Sequence, residues 1–168
     1  MKKLIVLVAS VFMLQACDDG DITLESFNFD TATIQNCTDN NLIFKINDKE
    51  LSLISIPESS FLNEETPDGS PRIINVGTTN QIIYRLYSGN VSSATICSTL
   101  PPASPVVEKE WNASGGTIEI ITDALYDVDG ITINGYTHNI KFKNVNFSNP
   151  DNSFSFTEYI FGNYETDL

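Results

Sequence analysis

Beyond residue 17, apolar side chains recur at every second position in short runs, with turn-forming clusters between the runs. In LIFKIN, Leu42, Phe44 and Ile46 fall on one side; in QIIYRLY, Ile82, Tyr84 and Leu86 oppose Ile83, Arg85 and Tyr87. A period of two is the signature of a strand, whose successive side chains point to opposite faces. The punctuation is equally regular: Thr38-Asp39-Asn40-Asn41, Asn47-Asp48, Gly77-Thr78-Thr79-Asn80, Ser88-Gly89-Asn90, Asp127-Val128-Asp129-Gly130 and Asn149-Pro150-Asp151-Asn152 are all turn formers. No stretch after residue 17 carries a helical period. The chain from 22 to 168 therefore reads as one all-β domain, an antiparallel β-sandwich of about ten short strands.

The strands expected are Ile22–Phe29, Thr33–Cys37, the hairpin Leu42–Ile46 with Leu51–Ile56, Arg72–Val76, Gln81–Tyr87 and Ala94–Cys97. Val106–Trp111, Thr117–Thr122, Ile131–Phe147 and Ser153–Phe161 complete the set. Two of the runs change phase, at three places. Between Leu24 and Phe27, near Asn134-Gly135 and near Asn144, the apolar positions switch parity, which calls for a bulge. Two connections are long: the acidic Glu58–Pro71, held to the body by Phe61-Leu62, and the stiff LPPASP of Leu100–Pro105.

The N-terminus has a different character. Lys2 and Lys3 precede Leu4–Leu14, an apolar run interrupted only by Ser10. It fits a signal-peptide core and falls well short of the ~20 residues of a spanning helix. The run ends in Leu14-Gln15-Ala16-Cys17, which resembles the lipobox of bacterial lipoproteins although Gln15 departs from its usual small or β-branched residue. That resemblance implies a signal peptide over 1–16, acylation of Cys17 with palmitate-type chains, and anchoring in a membrane. An ordinary signal peptide that leaves Cys17 free is the alternative. Residues 17–21 make a short acidic tether of at most ~14 Å after the cysteine.

Removing Lys2 and Lys3 leaves 7 of the 9 basic residues against 22 acidic ones, a formal charge of −15. Phosphate backbones are held by Lys and Arg, so nucleic acid is excluded as a partner, as is a polybasic contact with anionic lipid. The three cysteines become an even set once Cys17 is assigned to the lipid. Cys37 and Cys97 then pair in an oxidising compartment or remain as two buried thiols; a disulfide would close a loop of about 60 residues and contribute ~4 kcal/mol.

Catalytic signatures are missing. Asp123, Asp127, Asp129 and Gly130 invite a calcium reading, but with Gly130 at the sixth position the first falls on Leu125 and the twelfth on Tyr136. The segment is a hairpin turn, and no metal or other cofactor is expected. His138, the single histidine, shares its parity with Ile140 and Phe142 and belongs to a core face rather than to a general base. Trp111, Tyr126 and Tyr136 are the candidate glycan contacts, the two tyrosines flanking the Asp127–Gly130 turn; core packing competes for all three.

The segments NCTDNNLIFKIN, ICSTLPPASPVVEKEWNASGGTIEI, GYTHNIKFKNVNF and YIFGNYET, with the acidic CDDGD start, resemble small uncharacterised lipoproteins of the Bacteroidota. The likeness brings no activity with it. It implies that the acidic run after Cys17 directs the protein to the outer membrane and its exposed face, the alternative being the periplasmic face. Asp30-Thr31-Ala32 is similar to the O-glycosylation acceptor of that phylum, with Thr31 as the residue modified. The chain is thus expected to be a lipid-anchored, non-enzymatic binding or structural module at the outer membrane, with a glycan or an envelope protein as its candidate partner. A glycan-binding accessory lipoprotein using exposed aromatics is the alternative, and a hydrolase a more distant one.

Overall fold

The computed structural model describes residues 27–168 apart from Asn41 and Gly69. The lipidation candidate Cys17, the signal segment and residues 22–26 of the first expected strand lie outside the described residues. Nine strands follow: β1 (Gln35–Asn36), β2 (Leu42–Asn47), β3 (Glu50–Ser55), β4 (Arg72–Asn75), β5 (Gln81–Tyr87), β6 (Val107–Ser114), β7 (Thr117–Tyr126), β8 (Ile133–Ser148) and β9 (Ser153–Asp167). A 3-10 turn occupies Glu58–Ser60, and one helical turn, α1, spans Ser93–Cys97.

All pairings are antiparallel, and the all-β expectation holds. The strands form one continuous sheet in the order β1-β2-β3-β5-β6-β8-β7-β4, with β9 on the other edge of β8. The sandwich arrangement is not confirmed, since the strands are hydrogen-bonded as one sheet rather than two. Instead, β8 joins two arms. Its last residues, Asn146–Ser148, pair with β6, whereas Ile133–Lys143 pair with β7 on that same edge. Ile43, Ile54, Ile82, Tyr84 and Trp111 from one arm share a single buried core with Ile118, Ile120, Ile140, Phe142 and Phe161 from the other.

The division between the arms is made by a glycine and an asparagine. Gly115 and Gly116 link β6 to β7 at φ 72° and 80°. A Cβ on Gly116 would lie 2.5 Å from the Lys143 carbonyl oxygen and 2.6 Å from that of Asn144. Asn144 has φ 53°, a left-handed conformation that asparagine tolerates better than most residues. It resets the inward parity of β8 from His138, Ile140 and Phe142 to Val145 and Phe147, as the phase change requires. The bulge expected near Asn134-Gly135 is present too: Leu125 faces Gly135 while Tyr126 faces Ile133, leaving Asn134 as the extra residue; the one expected between Leu24 and Phe27 lies outside the described residues.

The first arm is buried on both faces. Phe44, Leu51, Leu53, Ile83 and Tyr87 form a second core on its outer side, covered by Val91, Ile96 and Cys97. Here the expectation for Ala94–Cys97 fails. The segment is the helical turn α1, with the Thr95 and Ile96 amides donating to the Ser92 carbonyl. It lies over a sheet face rather than beside an edge, so its β-prone residues have no ladder to join. Other limits move: Phe27–Phe29 joins no ladder, the second expected strand shrinks to two residues, β6 and β7 run on to Ser114 and Tyr126, and β9 runs past Phe161 to Asp167 through Gly162 at φ 128°.

Candidate functional site

Cys37 and Cys97 are joined by a disulfide with Cα atoms 5.4 Å apart. Cys37 follows β1 and Cys97 ends α1, so the bond straps the segment after β5 across the outer core.

Trp111 is displaced from its candidate role. Its side chain is fully buried beside Tyr84, with ring centroids 5.1 Å apart, and its Nε1–H donates to Asn152 Oδ1 at 2.7 Å. No sugar reaches it. Tyr126 is half exposed and Tyr136 partly buried, flanking the β7–β8 turn. In that turn the Asp129 carboxylate accepts the Ile131 and Thr132 amides and the Thr132 hydroxyl. These bonds, the hydroxyl's first, hold the Asp129 carboxyl at about 2. Its oxygens serve the turn, and no group of three or more metal-ligating side chains occurs among the described residues. Thr31 is exposed in the turn closed by the Ala32 amide on the Phe29 carbonyl.

His138 is fully buried on β8 and both its ring nitrogens are engaged. Thr166 Oγ1 donates to Asn63 Oδ1 at 2.8 Å, so it accepts the His138 Nε2–H at 3.0 Å. On the other side Thr122 Oγ1 accepts from Arg72 Nη2 and turns its own hydrogen to His138 Nδ1 at 2.8 Å. With the imidazole neutral and its hydrogen on Nε2, both ring nitrogens and both threonine hydroxyls of the relay are satisfied. Burial first, then the Arg72 charge, lowers His138 to about 4. Arg72 also donates to the carbonyls of Leu62 and Glu64, so the network ties the acidic connector to β4, β7, β8 and β9. Phe61 completes the tie edge-on to His138, with ring centroids 5.4 Å apart; the Leu62 side chain is exposed, and that residue takes part through its carbonyl.

The other side of Phe61 leads to a cleft of about 230 Å³. It opens where the free edges of the two arms face each other, since among the described residues β1 pairs only with β2 and β9 only with β8. Lower down, Ile34 and Lys45 close this seam against Gly162; above, around Tyr164, it stays open. Cys37, Ile43 and Ile56 supply buried surface, Phe61 and Tyr164 an aromatic wall, and Asn36, Asn40 and Glu58 a polar rim. The two rings meet edge to face at 5.1 Å. Burial, and after it the Glu58 carboxylate, pushes the Tyr164 hydroxyl above its ordinary value. Among the described residues neither lysine nor arginine lines the cleft. Lys45 lies on the same strand as Ile43, but its Nζ donates to the Phe29 carbonyl at 3.0 Å.

Sequence reasoning did not find this cleft. Phe61 stood out as an apolar residue in an acidic connector, but its meeting with Tyr164 crosses more than 100 positions of chain and leaves no local signal. Comparison with protein-family models, with curated proteins and with solved structures finds no match.

Proposed function

We propose that the chain is a lipid-anchored protein of the bacterial cell envelope, of the Bacteroidota lipoprotein type, that binds a ligand rather than transforming one. The Cys37–Cys97 bond is the observation that carries the compartment, because such bonds persist where thiols are not kept reduced. The LQAC sequence supports the anchor, with Cys17 acylated at the outer membrane. The non-enzymatic half rests on His138: its nitrogens are committed to Thr122 and Thr166, so the one imidazole of the chain is not free to act as a general base. The seam cleft is the binding site this reading favours.

Metabolic labelling with an alkyne palmitate analogue tests the anchor. Wild-type protein should carry the label and sediment with membranes, whereas Cys17→Ser should be unlabelled and released; a labelled or membrane-bound variant overturns the reading. Protease added to intact cells then assigns the face, with loss of the domain supporting the outer surface and protection the periplasmic side. The glycan-binding alternative retains Tyr126, half exposed beside the turn, and Tyr136. The exposed Thr31 hydroxyl is consistent with O-glycosylation, which would appear as mass lost in Thr31→Ala.

A further inference from the structure

We propose that the seam cleft takes a small organic ammonium ion, an inference that rests on reading the chain as a binding module. The cleft combines three features that select for one. Its floor, Ile43 and Ile56 with the Cys37 sulfur, is apolar, and the donors in the lining are the neutral Thr38 and Tyr164 hydroxyls and the Asn36 and Asn40 amides. Its wall is the Phe61–Tyr164 pair, set edge to face, and an aromatic face attracts a cation that sheds part of its water. Its rim bears the Glu58 carboxylate, with no lysine or arginine among the described lining residues to neutralise it.

The alternatives gain less from this arrangement. An anion meets Glu58 and the field of a chain with formal charge −13, which instead concentrates cations near the surface. A neutral ligand draws on the floor and the rim amides but leaves the carboxylate without a partner. The Tyr164 hydroxyl stays protonated beside Glu58, so one carboxylate faces one positive charge. At about 230 Å³ the cleft is smaller than the roughly 300–1,000 Å³ of drug-sized sites, which suits a head group rather than an extended molecule. Because Glu58 is exposed, binding should be of about millimolar strength and should weaken with added salt.

Choline and 3,3-dimethylbutanol have the same shape and differ in charge; glucose serves as a neutral polar probe. Each is titrated into the purified protein while NMR follows the ring signals of Phe61 and Tyr164. Choline should shift both rings and bind at least about tenfold more tightly than dimethylbutanol. Glu58→Gln, a change on an exposed side chain, should remove most of that preference and leave dimethylbutanol binding as it was. Equal binding of the two isosteres, or a preference that survives Glu58→Gln, overturns charge recognition. Glucose shifting the rings where choline does not would overturn the ammonium assignment while leaving the cleft a binding site. If none of the three shifts either ring, the ammonium proposal and the assignment of the cleft as the module's site both fall.

Discussion

His138 shows at the residue scale how far parity carries and where it stops. Its alternation with Ile140 and Phe142 places it inward, and it is fully buried. Its partners were not legible, because Arg72, Thr122, Thr166 and Asn63 come from four distant stretches of chain. The network has a measurable consequence. The folded imidazole titrates at about 4 against an ordinary 6.5, so between those values the unfolded chain binds the extra proton. Its contribution is fully present above pH ~6.5 and is lost as pH falls through ~4, amounting to about 3 kcal/mol. Urea unfolding at pH 7.5 and 4.5 should show this loss in the wild type and a shallower pH dependence in His138→Gln; parallel curves would contradict it. Gly116 gives a second prediction. In Gly116→Ala the methyl meets two backbone carbonyl oxygens at positive φ, which should cost more than about 2 kcal/mol. Gly77→Ala, with nothing within 4 Å of the new carbon, should change stability by less than about 1 kcal/mol. Thermal melts of the two variants decide whether the corner is as tight as the backbone indicates.

At the scale of elements, the phase changes were legible because a bulge breaks a local pattern, and Asn134 and Asn144 sit where the pattern breaks. Ala94–Cys97 was misread because strand propensity does not record whether a sheet edge is within reach. For Trp111 the core-packing alternative holds, and its strand VEKEWNAS carried the signal: Val107, Trp111 and Ala113 share one parity, interrupted by Lys109, against Glu108, Glu110, Asn112 and Ser114 on the other. The strap from Ser88 to Val106 depends on the Cys37–Cys97 bond, which closes a 60-residue separation. Reducing it, or replacing both residues with Ala, should lower unfolding stability by about 4 kcal/mol in the chain-entropy account. It should also open the Pro101–Pro105 segment to proteolysis before the rest of the domain, since the strap covers an outer core that the arms do not need in order to pair. Simultaneous cleavage throughout would mean that the two cores unfold together.

For the whole molecule, the alternating pattern and the turn residues were enough to determine an all-β chain, and setting Cys17 aside left Cys37 and Cys97 as a candidate pair that the structure joins. These follow from chemistry that acts over a few residues or from counting. How the strands assemble was decided only in three dimensions. The pattern states which face of a strand is apolar, but not which strand lies beside it. One sheet bent at Gly116 and Asn144 satisfies the same alternation as two stacked sheets would. The bend brings the edges bearing β1 and β9 toward each other, and the seam between them holds the Glu58, Phe61 and Tyr164 cleft. That site exists because two distant edges meet without pairing, and residue order alone does not encode such a meeting.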